Sequence, residues 1–287
     1  MPKITSKNIK SPIKPTWCAG CGNFSILKAM HAALEELELT LEEVLISYGV
    51  GCCDNEADFN MTYGIHSLHG RTVPPLIGAK IANHELTAIS VSGDGGQYGE
   101  GLNHLVFAAR GNHDLTMLVH NNNRYSLTTG QASPTTAQGT ATKSTPQGVI
   151  EQPLNPLALS LASGASFVAR AYANDRRQLK EIIKQAVNHP GFALIDILQP
   201  CVTFNKEYDF DWYQQHVEHL SEDHDPSNWQ QAMNAAVAPA GKLYTGIYYQ
   251  DKQAKPFHQQ LETLEQQTLL AQWSDQRDIS SVIDHFA

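Results

Sequence analysis

Residues 86–96, LTAISVSGDGG, and residues 115–123, LTMLVHNNN, decide the fold of this chain. Each begins with a continuous, mostly apolar run, which is typical of a strand buried on both faces of a parallel sheet. The first run ends in Gly93-Asp94-Gly95 and the second in Asn121-Asn122-Asn123. Because residues 101–110 between them have a helical pattern, we predict a strand, helix, strand unit.

The same alternation continues on both sides of this unit. Further helices are predicted near residues 26–37, 74–83, 156–163 and 175–188, and further strands over 44–47, 166–172 and 192–198. The pattern predicts an α/β fold with a mostly parallel, doubly wound sheet. Beyond residue 205 only residues 243–249 have a strand pattern. We therefore expect an N-terminal arm over residues 1–16, a main domain over 17–205 and a C-terminal arm over 206–287.

Composition narrows the possible partners. The chain has 287 residues, 41% of them apolar and 17% charged, which is enough to bury one large core. A net charge of −9 argues against nucleic acid as the main partner, because binding to phosphates needs a basic face. No apolar run approaches the roughly 20 residues of a membrane helix, and the N-terminus lacks the apolar stretch of a secretory signal. We therefore expect no membrane partner and a cytoplasmic location.

The two turn sequences have the composition of a site for a diphosphate and a metal ion. In open parallel sheets, ligands bind beyond the carboxyl ends of the strands, where Asp94 and Asn122 would lie close together. Their side-chain oxygens, with a backbone carbonyl near Arg124, suit Mg²⁺. Gly93 and Gly95 would let the backbone close on the diphosphate. The simpler alternative for Gly-Asp-Gly alone is a tight turn in which Asp94 caps a helix.

Five cysteines in a chain expected in a reducing compartment indicate metal or catalytic use rather than disulfides. Cys18 and Cys21 form a C-x-x-C pair, Cys52 and Cys53 are adjacent, and Cys201 is distant. Cys18, Cys21, one of the adjacent pair and Cys201 would satisfy either a four-cysteine zinc site or a 4Fe-4S cluster. Spacing alone leaves both open, although scattered ligands favour an embedded redox centre.

Several motifs in order resemble a known family. They are WCAGCGN at 17–23, GVGC at 49–52, HSLHGR at 66–71, GDG at 93–95, NN at 121–122, YSLTTGQ at 125–131, SPT at 133–135 and PCVTFN at 200–205. Together these blocks resemble those of the β subunits of 2-oxoacid:ferredoxin oxidoreductases. Weaker matches, FDWY at 210–213 and GIYY at 246–249, extend the resemblance towards the C-terminus.

The resemblance implies thiamine diphosphate with Mg²⁺, one 4Fe-4S cluster, and oxidative decarboxylation of a 2-oxoacid to its acyl-CoA. It also implies three kinds of partner: an α subunit that completes the active site, ferredoxin as electron acceptor, and the substrates 2-oxoacid and CoA. For cofactor binding the resemblance implies Gly49, Gly51, Gly93, Asp94, Gly95, Asn122, Tyr125 and Leu127, and for Mg²⁺ it implies Asp94, Asn122 and Arg124. The implied ligands of the cluster are Cys18, Cys21, Cys52 and Cys201. The residues implied for catalysis through substrate contact are His66, His69 and Arg71. For each histidine, the alternative is a packed or capping role.

Departures from the family pattern concern the substrate and the cluster. Asn55 stands where the family often has a basic residue, and Arg124 where it usually has an apolar one, so Arg124 or Arg71 is a candidate to bind the substrate carboxylate. Gly96 and Ser126 also depart from the common choices. Cys53 falls where the family tends to carry serine, which leaves Cys52 as the implied cluster ligand.

Two other functions stay open from the residues alone. One is a non-redox thiamine-diphosphate-dependent decarboxylase or synthase, which would use Asp94 and Asn122 but not the cysteines. The other is a nucleotide-binding module stabilised by zinc. Iron–sulfur absorption in the visible range distinguishes the redox enzyme from both alternatives.

Overall fold

The computed structural model describes residues 2–238, 241–274 and 279–286 of the chain. The strands are β1 (Val44–Tyr48), β2 (Tyr63–His66), β3 (Thr87–Gly93), β4 (Leu115–Asn121), β5 (Arg124–Tyr125), β6 (Gln131–Ala132), β7 (Phe167–Tyr172), β8 (Phe192–Leu198), β9 (Val217–His219) and β10 (Leu243–Gln250). The helices are α1 (Asn23–Glu36), α2 (Val73–Ala82), α3 (Leu102–Arg110), α4 (Pro156–Ala162), α5 (Arg176–Val187), α6 (Phe210–His216), α7 (Trp229–Ala236), α8 (Glu262–Glu265) and α9 (Ser280–Phe286). None of the helices in the described ranges has the length and apolar character that a membrane span requires.

Eight strands form the central sheet in the order β2-β1-β3-β4-β8-β7-β10-β9. The strands from β2 to β7 in this order are parallel, whereas β10 runs antiparallel to β7. This topology confirms the predicted α/β fold with a mostly parallel sheet. Gly93 at the end of β3 pairs with His120 near the end of β4. The two turn sequences therefore leave the sheet side by side.

Helices cover both faces of the sheet. Their apolar residues recur on one side of each helix, and this side is buried, as α5 illustrates. In α5, the residues Leu179, Ile182, Ile183 and Ala186 are buried, a spacing that places them on one helical face. The helix begins where the sequence predicts, since the Asp175 side chain accepts a hydrogen bond from the Gln178 backbone N–H at 3.0 Å. Buried side chains of α1 and α5 form one core cluster, and those of α2, α3, α4 and α7 contribute to a second cluster.

Both segments expected as arms contact the main domain. At the N-terminus, Ile4 and Ile9 are buried in the first core cluster, and the Ile4 backbone N–H donates to the carbonyl of Leu39 at 2.7 Å. At the C-terminus, β10 extends the sheet beside β7, and Ala232 of α7 is buried in the second core cluster. The described parts of both segments, up to the end of β10, thus pack against the main domain or extend its sheet.

The packing of the N-terminal segment gives a direct test. Replacing Ile9 by alanine is expected to lower the free energy of unfolding by about 2 to 5 kcal/mol, because the side chain is fully buried and its removal leaves a cavity. The matched control is Ile13→Ala, four residues later, where the side chain is 53% exposed and the expected change is within about 0.5 kcal/mol. Urea unfolding of the two variants measures the difference. Equal, small effects would show that the segment does not contribute to the core in solution.

Candidate functional site

Asp94 lies directly after β3 and is completely buried. Its Oδ2 atom accepts hydrogen bonds from Ser133 Oγ and Thr135 Oγ1, both at 2.6 Å. Its Oδ1 atom has no hydrogen-bond partner among the described residues. Burial raises the pKa of this carboxyl to about 6, although the two hydroxyl donors oppose the shift. The side chain is therefore oriented by two hydroxyl groups and leaves one oxygen available for a cation, which fits a Mg²⁺ ligand.

The chain turns into a helix immediately beyond Asp94. Residues Gly95–Glu100 form a π-helical turn, a rare geometry that is frequent at functional sites. Gly95 packs against the ring of Tyr125, and a Cβ atom at position 95 would overlap that ring. The Tyr125 hydroxyl donates to the Gly95 carbonyl at 3.2 Å. This glycine is thus needed for the approach of Tyr125.

Asn122 lies just beyond β4 and is buried. Its Oδ1 atom accepts from the backbone N–H of Arg124 at 3.1 Å and from Ser126 Oγ at 3.3 Å. Its Nδ2 atom donates to Gln199 Oε1 at 3.0 Å. These contacts fix the orientation of the amide and occupy its oxygen with two donors. The role of Asn122 as a Mg²⁺ ligand stays a prediction, in which the metal ion would take the place of one of these donors at Oδ1.

A cavity of about 110 Å³, here called the cofactor cavity, opens between these turns. Its lining residues are Val50, Gly51, Cys52, Cys53, Asp54, His69, Gly93, Gly95, Gly96, Asn122, Arg124, Tyr125, Ser126, Leu127 and Thr128. The cavity thus brings together most of the residues that the resemblance implies for cofactor binding. Gly49 and Asp94 do not line it, and neither do His66 and Arg71.

Gly49 and Gly51 enclose a carboxylate that the sequence does not single out. The backbone N–H of Gly49 donates to Asp54 Oδ1 at 2.7 Å, and that of Gly51 donates to Asp54 Oδ2. A Cβ atom at Gly49 would lie 3.0 Å from Asp54 Oδ1, so the close approach favours glycine. Asp54 is buried, and burial raises the pKa of its carboxyl. These glycines therefore shape the wall of the cofactor cavity through Asp54.

The three residues implied for substrate contact lie in different environments. His69 lines the cofactor cavity, its ring meets the Tyr125 ring edge to face at 5.8 Å, and its Nδ1 atom is buried without a partner in the described structure. His66 is exposed at the end of β2. Arg71 is also exposed, and its guanidinium donates to the carbonyls of His69 and Glu100 at 3.0 and 3.1 Å. Of the three, only His69 reaches the cavity.

A second cavity of about 210 Å³, here called the cysteine cavity, lies next to the first. It is lined by Cys18, Cys21, Cys52 and Cys201, together with Thr16, Trp17, Asn55, Asn122, Ser126, Leu127, Gln199, Val202, Thr203 and Phe204. Burial, reinforced by neighbouring thiols, raises the pKa of Cys21 to about 11 and that of Cys52 to about 12. The chemistry of this donor set, four thiols around one cavity, fits a 4Fe-4S cluster.

The metal sites themselves stay predictions. Within the described ranges, no group of three or more His, Cys, Asp or Glu side chains is arranged to hold a single metal ion.

Cys53 differs from Cys52 in the cavities that it lines. It lines the cofactor cavity and not the cysteine cavity. A Cβ atom at Gly93 would lie 3.8 Å from Cys53 Sγ, which places the sulfur near the end of β3. Burial raises the pKa of Cys53 well above its usual value, and the nearby carboxyl of Asp54 contributes. Cys52 lines both cavities, so of the two adjacent cysteines it alone reaches the cysteine cavity.

The sequence patterns do not predict the roles of four side chains at the site. Ser133 and Thr135 belong to a recognised motif, but only the structure shows that they bind Asp94. Asp54 follows the adjacent cysteines without a distinctive pattern. Gln199 directly follows β8, and its Nε2 atom donates to Cys21 Sγ at 3.3 Å. A polar residue at the carboxyl end of a parallel strand was the one available signal for Gln199.

Comparisons with known proteins agree with this geometry. Residues 49–197 match the model of the C-terminal TPP-binding domain of thiamine pyrophosphate enzymes, which supports thiamine diphosphate as a cofactor. Residues 201–266 match the model of the C-terminal part of the pyruvate ferredoxin oxidoreductase β subunit. The matched regions contain both strand ends of the cofactor cavity and the segment that begins at Cys201.

Individual relatives resemble most of the chain. The chain is 42% identical over 258 residues to the 2-oxoacid:ferredoxin oxidoreductase subunit beta of Saccharolobus solfataricus, a match that covers 85% of each chain. It is also 42% identical over 199 residues to the 2-oxoglutarate oxidoreductase subunit KorB of Mycobacterium tuberculosis, covering 69% of this chain and 53% of that one.

A solved structure extends the similarity to three dimensions. The 2-oxoglutarate:ferredoxin oxidoreductase of Magnetococcus marinus, described with 2-oxoglutarate, coenzyme A and succinyl-CoA bound, superposes with a TM-score of 0.91 at 35% identity, covering 98% of this chain and 95% of that one. These similarities confirm the resemblance seen in the sequence motifs and the prediction of an oxidoreductase subunit. The chain belongs to the β subunits of the 2-oxoacid:ferredoxin oxidoreductases.

Proposed function

We propose that this chain, with a partner α subunit, catalyses the CoA-dependent oxidative decarboxylation of a 2-oxoacid to its acyl-CoA and CO₂, with electrons passed through a 4Fe-4S cluster to ferredoxin. The observation that carries the proposal is the wall shared by the cofactor and cysteine cavities. Cys52, Asn122, Ser126 and Leu127 line both. Groups bound in the two cavities are therefore separated by single side chains, and such proximity is what electron transfer between them requires.

The residues of the chain hold and orient the bound groups. When bound, thiamine diphosphate supplies the carbanion chemistry of decarboxylation, and the cluster supplies one-electron transfer. Asp94 would bind Mg²⁺ through its unpaired Oδ1, while Ser133 and Thr135 keep the carboxylate in place. The four thiols of the cysteine cavity would lose their protons on binding iron, because the thiolate is the form of cysteine that binds metal.

The substrate is a 2-oxoacid such as 2-oxoglutarate or pyruvate. Arg124 is the better placed of the two candidate arginines to bind its carboxylate, because Arg124 is buried and lines the cofactor cavity whereas Arg71 is exposed. Arg124 Nη2 lies 3.8 Å from the exposed carboxylate of Glu207. His69, with its unpaired Nδ1, is the candidate to hydrogen-bond the substrate carbonyl.

The size of the cofactor cavity supports the need for a partner subunit. Ligand pockets in proteins usually occupy roughly 300 to 1,000 Å³, whereas this cavity has about 110 Å³. It is therefore large enough for one end of the cofactor only. A second chain would cover the remainder, in agreement with the β-subunit names of the relatives.

The function is tested with anaerobically purified protein. The chain alone should absorb visible light through its cluster but should not reduce ferredoxin with any 2-oxoacid, because half of the active site is absent. Together with the α subunit, it should reduce ferredoxin only when 2-oxoacid, CoA and thiamine diphosphate are all present. Absorption spectra, metal analysis and a ferredoxin reduction assay provide these measurements.

Other outcomes distinguish the alternatives. Release of CO₂ without reduction of ferredoxin would indicate a non-redox thiamine-dependent decarboxylase. Bound zinc in a colourless protein would indicate a zinc-stabilised module. Turnover by the isolated chain would contradict the requirement for a partner subunit.

A further inference from the structure

Two buried side chains that contact Asn122, those of Gln199 and Ser126, also contact thiols of the cysteine cavity. Gln199 provides the first connection. Its Oε1 atom accepts from Asn122 Nδ2 at 3.0 Å, and its Nε2 atom donates to Cys21 Sγ at 3.3 Å. Because the Asn122 contact occupies the oxygen of the Gln199 amide, the NH₂ group is the end that faces the sulfur.

Packing also holds Gln199 in this position. The side chain is only 2% exposed, and a Cβ atom at Gly22 would lie 2.8 Å from Gln199 Cγ. Gly22 directly follows Cys21 in the sequence, so the cysteine loop and the glutamine are in close contact. The donor is thus in a packed position next to the thiol.

Ser126 provides the second connection. Its Oγ atom lies 3.3 Å from Asn122 Oδ1 and 3.4 Å from Cys201 Sγ, in a buried position. A hydroxyl has one hydrogen to donate, and a thiolate is only an acceptor. When Cys201 binds iron as a thiolate, the hydrogen bond to its sulfur must therefore come from Ser126, which then donates to Cys201 instead of to Asn122 Oδ1.

We propose that Gln199 and Ser126 are positioning residues that donate hydrogen bonds to the sulfurs of Cys21 and Cys201, and so raise the reduction potential of the cluster. This inference rests on the proposed function. Hydrogen bonds to the sulfurs stabilise the additional negative charge of the reduced cluster, and they are among the factors that set its potential.

Midpoint potentials test the proposal. The full chain is purified anaerobically with its cluster, and the cluster is titrated electrochemically while its electron paramagnetic resonance signal is recorded. Ser126→Ala and Gln199→Met each remove one donor, and each should shift the midpoint potential to a more negative value. The double variant should shift further than either single variant. Ser160→Ala, a buried serine whose hydroxyl donates to a carbonyl within α4, is the matched control and should leave the potential unchanged.

A second measurement covers the case in which a variant fails to assemble its cluster. In the wild-type chain, exchange from H₂O into D₂O should shift the iron–sulfur vibrations in the resonance Raman spectrum, and the shift should be smaller in whichever single variant retains the cluster. Wild-type potentials in both loaded variants, or an unaltered deuterium shift, would overturn the inference. Absence of iron–sulfur absorption from the wild-type chain would instead overturn the proposed function.

Discussion

Replacing Asp94 by alanine is expected to abolish the magnesium-dependent binding of thiamine diphosphate, with a loss of affinity of at least about 100-fold. One oxygen of the carboxylate has no partner among the described residues, and Ser133 and Thr135 hold the other, so alanine removes an oriented candidate ligand for the metal. Isothermal titration calorimetry on the assembled enzyme, with and without Mg²⁺, measures the effect. The absorption of the cluster should be unchanged, because Asp94 does not line the cysteine cavity.

Two control variants sharpen this experiment. Ser133→Ala removes one of the hydroxyls that orient Asp94 and should weaken binding by only about 10-fold. Asp223→Ala removes an exposed carboxylate in the C-terminal segment and should bind the cofactor as the wild type does. Wild-type affinity in Asp94→Ala would show that the cofactor is anchored elsewhere.

Replacing Cys52 by serine is expected to remove the cluster or to distort its electron paramagnetic resonance signal, whereas Cys53→Ser should retain it. Only Cys52 of this pair lines the cysteine cavity with the other three thiols, and a serine oxygen is a poorer ligand for iron than a thiolate. Cys53 is the matched control because it is adjacent in sequence and faces the cofactor cavity. Iron content, visible absorption and the resonance signal measure the outcome in both variants.

The opposite results have distinct meanings. A cluster that survives Cys52→Ser but is lost in Cys53→Ser would show that Cys53, one residue further along the chain, is the ligand instead of Cys52. Survival in both variants would place the fourth ligand outside this pair.

The strands and turns of the cofactor cavity could be predicted because local patterns determine them. The apolar runs that become β3 and β4 are too short for membrane helices and end in turn sequences. The rule for ligand sites in parallel sheets then places Asp94 and Asn122 together. The pairing of Gly93 with His120 agrees with that expectation. In this case the local sequence patterns and the tertiary structure both place the two turn sequences next to each other.

The contacts within the site could not be predicted in this way. Ser133 and Thr135 lie in a long loop, so their distance from Asp94 depends on the folded path of that loop. The glycines at 49 and 51 were expected to approach the cofactor, yet their N–H groups bind Asp54. Such contacts join segments whose relative position no local pattern specifies.

The pairing of the C-terminal segment with the main sheet could not be predicted, for a similar reason. Its strand β10 has a residue pattern that the sequence reveals, but its partner strand does not follow from that pattern. The structure shows antiparallel pairing with β7, interrupted by an irregularity between Ile247 and Tyr249. Pairing between strands distant in sequence depends on the whole fold.

The positions of the four cavity cysteines in the sequence limit when a cluster could be inserted during biosynthesis. Cys18 and Cys201 are 183 residues apart in the sequence. At a translation rate of about 5 to 20 residues per second, Cys201 leaves the ribosome roughly 10 to 40 seconds after Cys18. The four thiols are therefore never available together before Cys201 has been synthesised, so a cluster that uses all four could be inserted only into a chain that already contains β8.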